Sequence, residues 1–282
     1  EGLDKVVLNK LQLQPKKTLD LTRWNEFLYK FKNPKYSLKI GLVGKYVELQ
    51  DSYKSILESL IHAGAINETE IQVISIHSEK LNDENVATKL STLDGVIVAP
   101  GFGERGIEGK ITAIAYARKH QIPFFGICLG MQMAVIEYSR NAAGLSSANS
   151  IEMDVNCKIP VIDLMESQKS IVNKGGTMRL GAWDCSLSEN SLAHKAYGSK
   201  TISERHRHRY EFNDAFKERI FDQDFVVTGT NPETGLVEII EYKKHPWFLG
   251  VQFHPEYKST VSTPHPLFVS FIQASLTNKS KA

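Results

Sequence analysis

Cysteine is scarce in this chain, with three among 282 residues at positions 128, 157 and 185, an odd count without the spacing of a metal site. A disulfide scaffold is thereby excluded, and reduced thiols in a cytoplasmic setting are expected. Apolar runs of membrane-spanning length are missing, and so is a signal peptide, so neither insertion nor secretion is expected. Charge of one sign is missing too: 34 Lys and Arg face 32 Asp and Glu, a formal +2 that predicts no nucleic acid or other polyanionic partner. No internal repeat or low-complexity run occurs. The first residue is Glu1 and not an initiator methionine, from which a fragment or processed product is expected. What is present is globular composition, 41% hydrophobic and 23% charged, enough for one sizeable α/β core with a small appendage.

Leu3, Val6, Val7 and Leu11 recur at helical spacing, as do Trp24, Phe27, Leu28 and Phe31 after the cap candidates Asp20 and Thr22. Two short amphipathic helices are predicted, and they either pack onto the core or leave their apolar faces without a partner. Asn33-Pro34 closes the second, and a compact unit starts near residue 37 with the strand Leu38–Val43. From there apolar strands (Ile71–Ile76, Gly95–Ala99, Pro123–Ile127) alternate with helical stretches, which argues for a mainly parallel sheet flanked by helices. The second half has more short strands and turns, and reads as an antiparallel addition at the sheet edge.

The most informative segment is Ile122–Val135, which sets Cys128 between Gly126 and Gly130 where an apolar strand gives way to a helix. Glycines two residues before and after a nucleophile permit the sharp elbow that lifts its side chain clear of a sheet. The helix beyond offers unpaired N–H groups and a positive dipole end, which favour thiolate over thiol. The alternative is a buried cysteine that fills space. A base and an orienting group exist elsewhere: Phe248–Phe253 reads as a strand that ends in His254, with Glu256 two residues on. On extended backbone the two side chains share a face, so Glu256 can hold one ring nitrogen while the other faces Cys128. A lone His-Pro-Glu is more often a loop; joined to Gly-Ile-Cys-Leu-Gly it gains meaning.

Two glycine clusters mimic nucleotide sites. Gly41–Tyr46 has two residues between its glycines where a phosphate loop has four, and Tyr46 stands where Ser or Thr would hold magnesium. Gly101-Phe-Gly103-Glu-Arg-Gly106 fits a dinucleotide fingerprint, but no ribose-binding carboxylate stands about 20 residues on, where Phe125–Cys128 lies.

The Cys128 and His254 motifs together resemble the class I, triad-type glutamine amidotransferases. Gly101–Lys110, Gly175–Gly181 and Glu204–Glu211 narrow the likeness to the glutaminase domain of the CTP synthase family, and the resemblance runs from residue 1 to about 275. It implies a flavodoxin-like α/β fold with a small antiparallel addition, and a division into residues 1–36, the end of a synthetase domain with its linker, and 37–282, the amidotransferase domain. By resemblance the catalytic residues are Cys128, His254 and Glu256, and the oxyanion donors are the N–H groups of Gly101 and Leu129. Glutamine contacts fall on Gly101, Leu129, Gly130, Met131, Gln132, Glu152 and Arg209. Arg209 ends the basic run Arg205–Arg209, which if extended sets its arginines on one face and His206 and His208 on the other. A guanidinium can pair bidentately with an α-carboxylate, and Glu152 can face the α-ammonium.

No metal or cofactor is expected in this chain. The resemblance implies ATP and Mg2+ in a synthetase (amidoligase) domain normally on the same polypeptide, GTP as activator, and a homotetramer that ligates ammonia to UTP in pyrimidine nucleotide biosynthesis. One departure stands out: the family has Pro-Gly-Gly-Phe-Gly where this chain has Ala99-Pro100-Gly101-Phe102-Gly103. Pro100 fixes φ and removes an N–H, which leaves the Gly101 donor in place and restricts the loop. Service to another synthetase, a stand-alone γ-glutamyl hydrolase and a non-catalytic assembly module remain the alternatives.

Overall fold

The computed structural model describes residues 2–15, 19–164 and 178–281. Gly175, Gly176 and Thr177 of the motif Gly175–Gly181 lie outside the described residues.

Five parallel strands form the centre: β1 (Tyr36–Gly44), β2 (Thr69–His77), β3 (Gly95–Val98), β4 (Phe124–Ile127) and β12 (Phe248–Val251), in the order β2-β1-β3-β4-β12. Every residue of β3, β4 and β12 is buried, because helices cover both faces of a sheet joined by crossovers. Adjacent residues of β4 enter opposite cores. Phe124 meets Phe248, with ring centroids 4.3 Å apart, on the side of helices α4 (Val86–Leu90), α5 (Ile107–Lys119) and α6 (Leu129–Asn141). Phe125 meets Trp247, Phe268 and Phe271 on the side of α3 (Lys54–Ile66) and the C-terminal helix Pro266–Lys279.

The expected antiparallel addition extends the main sheet. Past β12 the same sheet continues antiparallel through β11 (Val237–Tyr242), β10 (Phe225–Thr230), β7 (Arg179–Leu187) and β8 (Thr201–His208). A small mixed sheet stands apart from it and joins β5 (Ala148–Ser150), β6 (Ile159–Leu164) and β9 (Tyr210–Phe212), with β5 parallel and β9 antiparallel to β6.

The leader forms both predicted helices, α1 (Leu3–Lys10) and α2 (Thr22–Lys32), and neither contains a buried residue. Asp20 accepts a hydrogen bond from the Thr22 N–H at 2.9 Å. α2 leans on α3 through Phe27, whose ring meets His62 edge-on at 6.2 Å. α1 leaves Leu3, Val6, Val7 and Leu11 exposed.

Candidate active site

The site lies beyond the carboxyl ends of the parallel strands, where open α/β sheets bind ligands: Cys128 follows β4, Gly101 follows β3, Lys45 follows β1 and His254 follows β12. Cys128 turns the chain from β4 into α6 with φ 51° and ψ −104°, a conformation that costs a non-glycine residue about 1–3 kcal/mol. Backbone bonds hold it there. Its N–H donates to Val251 O at 2.7 Å, and its carbonyl accepts from the Met131 and Gln132 N–H groups. A Cβ on Gly126 would sit 2.8 Å from Gly130 O, and one on Gly130 would sit 2.2 Å from Val98 O. Both glycines are therefore demanded by close backbone approach, as the elbow requires. Leu129 and Gly130 open α6, so their N–H groups have no intrahelical acceptor.

His254 and Glu256 meet as expected, by a different local geometry. The strand ends at Val251, and Glu256 sits in a 3-10 turn, Pro255–Lys258, that starts at His254. A turn, and not extended backbone, brings the Glu256 Oε1 to 2.7 Å from His254 Nδ1. That contact makes Nδ1 the protonated, donating nitrogen, and Nε2 has no close hydrogen-bond partner among the described residues. Burial acts against a charge on His254, but Cys128 and then Glu256 more than offset it, so the imidazole titrates well above the usual histidine range. The Tyr257 ring stacks on the imidazole, with centroids 5.0 Å apart and planes 14° apart.

Sequence reasoning missed Gln252. Fully buried, it donates through Nε2 to Cys128 Sγ at 3.7 Å, and its Oε1 accepts from Gln132 Nε2 at 3.0 Å. Gln132 also donates to Tyr210 O at 2.9 Å. The two-residue spacing of Gln252, His254 and Glu256 was the available signal. Met131 and Gly130 are buried.

On the opposite wall the loop Ala99–Gly103 carries Gly101. Lys110 donates to Ala99 O at 2.6 Å, Lys45 donates to Phe102 O, and the Gly103 N–H donates to Glu152 Oε1 at 2.7 Å. Glu152 is thus half-buried and bound to the loop, where sequence alone would put it on the surface. Its burial raises its pKa, while the Gly103 bond and the charges of Lys45, Arg209 and Lys110 pull the other way. The positive charge of Arg209 is thus felt at Glu152. Neither lysine was singled out from the sequence.

β8 alternates as expected, with Arg205 and Arg207 outward and His206 and His208 buried. Arg207 covers the Phe102 ring at 5.9 Å. The buried histidines join Arg179, Glu211 and Glu238 behind His254: Arg179 Nη2 lies 2.6 Å from Glu238 Oε1, and His206 Nδ1 lies 2.8 Å from His208 Nε2. Burial, helped by nearby positive groups, pushes His206 down to about 2 and His208 to about 3, so both are neutral. Burial likewise lifts Glu238 to about 7 against the pull of Arg179. Among the described residues, no group of three or more His, Cys, Asp or Glu could hold a metal ion, and no helix is long and apolar enough to cross a membrane.

The chain can now be set beside known proteins. The CTP synthase of Christiangramia forsetii is 66% identical over 274 residues, covering 97% of this chain and 50% of that protein. That of Flavobacterium psychrophilum is 66% identical over 281 residues, covering 100% and 52%. The chain thus spans about half the length of these relatives. Among solved structures, the glutaminase domain of Trypanosoma brucei CTPS with bound acivicin superposes with a TM-score of 0.80 at 37% identity, over 85% of this chain and 94% of that one. A structure described as a GMP synthase protein from Thermoplasma acidophilum, at 16% identity and a TM-score of 0.55, shares the fold over 86% of this chain and 96% of that one. The family model for class-I glutamine amidotransferases matches residues 48–274, and the chain belongs to that family and, within it, to the glutaminase domains of the CTP synthase type.

Proposed function

We propose that Cys128, His254 and Glu256 carry out glutamine hydrolysis, and that the ammonia serves ATP-dependent amination of UTP to CTP in the remainder of the protein. The observation that carries this is the strained Cys128 elbow beside an imidazole whose far nitrogen is held by Glu256 at 2.7 Å. Arg209 pairs with the α-carboxylate of glutamine and Glu152 with its α-ammonium. The Cys128 thiolate attacks the side-chain amide carbon. The N–H groups of Gly101 and Leu129 receive the oxyanion, for which one such donor is worth about 3 kcal/mol. The intermediate collapses as His254 gives its Nε2 proton to the departing ammonia, leaving a thioester. His254 then takes a proton from water, whose attack releases glutamate and restores the thiolate, while Glu256 stabilises each imidazolium.

On this reading residues 1–36 are the end of a synthetase domain and its linker. ATP and Mg2+ chemistry, activation by GTP, homotetramer assembly and cytoplasmic location belong to the whole protein. Service to a different synthetase is the second reading, and swapping synthetase domains separates the two.

The test is intact mass after incubation with a glutamine-mimicking diazoketone, beside Cys128→Ala. One adduct at Cys128, competed by glutamine and absent from the variant, is expected. A folded chain that takes no adduct with or without a synthetase domain present would sink the assignment.

A further inference from the structure

Two lysine side chains, one fully buried and one nearly so, hold the carbonyls on either side of Gly101. Lys110, on α5, is fully buried, and its Nζ donates to Ala99 O at 2.6 Å. Lys45, just past β1, is 7% exposed and donates to Phe102 O. A lysine this buried is rare without a partner, and the acceptor each has found is a loop carbonyl and not a carboxylate. Burial pushes Lys110 down to about 7, the charge of Lys45 adds to that push, and Cys128 and Glu152 oppose it. The lysine charge is thus tied to the same site as the nucleophile.

The consequence for the loop follows peptide by peptide. The unit from Phe102 to Gly103 is fixed at both ends, its carbonyl by Lys45 and its N–H by Glu152. Turning it over would break both bonds. Ahead of Gly101, Lys110 holds the Ala99 carbonyl, and the next residue is Pro100, whose ring fixes φ. The Gly101 N–H therefore lies between two anchored peptide units. The lysines also reach Gly101 itself: a Cβ there would lie 3.5 Å from Leu129 Cδ2, 3.6 Å from Lys45 Cε and 3.8 Å from Lys110 Nζ. Leu129 is the residue that offers the second N–H.

We infer that Lys45 and Lys110 are positioning residues that clamp the Ala99–Gly103 loop and keep the Gly101 N–H aimed at the oxygen that becomes negative when Cys128 attacks. This role presupposes the glutaminase reading of Cys128, Gly101 and Leu129. Neither lysine touches the reacting atoms; each acts through a backbone carbonyl.

The experiment compares the chain with Lys110→Met and Lys45→Met in three readouts. Amide hydrogen exchange at Gly101, Phe102 and Gly103 is expected to rise at least tenfold in either variant, since an anchoring bond is lost. The kcat for ammonia release from glutamine is expected to fall about 10- to 100-fold with KM little changed, somewhat less than the loss of a whole oxyanion donor. Alkylation of Cys128 by iodoacetamide, a displacement that forms no oxyanion, is expected to stay within about twofold at a pH high enough to ionise the thiol in every variant, so that loss of a nearby lysine charge does not enter. A lysine that merely filled space would not separate the last two. Unchanged exchange overturns the clamp, and so does alkylation that falls in step with kcat. If exchange responds while the parent chain neither releases ammonia nor takes the diazoketone, the clamp stands and the glutaminase reading falls. Should Lys110→Met fail to fold, Lys45→Met, at the rim of the site, carries the same expectations.

Discussion

At the scale of single residues, the site depends on atoms that are missing as much as on atoms that are present. Gly130 has no Cβ, and the place one would take is 2.2 Å from the Val98 carbonyl oxygen. Gly130→Ala must displace the backbone of α6 or of β3, and no flexible side chain is available to yield. We expect it to lower the unfolding free energy by about 1–3 kcal/mol, as overpacking does, and to abolish labelling of Cys128. Urea unfolding and intact mass check the two parts, and an unshifted urea midpoint would refute the packing argument. The elbow was legible in the sequence because two glycines around one cysteine have few other uses. Lys110 and Gln252 were not. A lysine at a helix position and a glutamine just past an apolar strand carry no mark of burial, and only distant elements folding over them remove their water.

At the scale of elements, legibility followed the number of covered faces. β3 and β4 read as continuous apolar runs because helices cover both sides. β8 could not be read from polarity, since its inward side chains after Ile202 are Glu204, His206 and His208; the usual pattern is inverted, the histidines lying against charged groups of β7, β9 and β11 and Glu204 accepting from Tyr197 and lying against His265. The turn between β11 and β12 offers a test of how neutral buried histidines couple to stability. His245 is 7% exposed, its Nε2 meets Ala117 O at 3.2 Å and its Nδ1 accepts from the Trp247 N–H at 3.2 Å. Burial depresses its pKa to about 4 against the help of those two backbone bonds. Between pH 6.5 and 4 the unfolded chain binds a proton that the folded chain refuses. The contribution of His245 is therefore complete above pH 6.5 and is lost as the pH falls toward 4. Within that window one such group adds about 1.4 kcal/mol per pH unit to the slope of stability against pH. His245→Gln keeps a donor and an acceptor but cannot titrate, so its stability profile between pH 6 and 4.5 should be shallower by about that amount. Parallel profiles from denaturant titrations would contradict this.

At the scale of the whole molecule, the leader and the sheet contrast. α1 buries none of its residues, yet it shows Leu3, Val6, Val7 and Leu11 to solvent. Removing residues 1–13 should therefore change the unfolding free energy by less than about 0.5 kcal/mol, the usual range for surface changes, while reducing self-association in light scattering. A larger loss of stability would mean that α1 packs on the core. The sheet behaves differently. β4, which leads into Cys128, and β12, which leads to His254, are hydrogen-bonded neighbours in its middle, and the Cys128 N–H itself is bonded to Val251. The strands that lead to nucleophile and base are thus one strand spacing apart, about 4.8 Å, on a frame that cannot open without tearing the centre of the molecule. The cleft's other wall is a loop whose later peptides are held by the side chains of Lys45 and Glu152. That wall can shift while the intrinsic reactivity of the thiol stays constant, which makes alkylation and hydrolysis independent gauges of the two halves of the site.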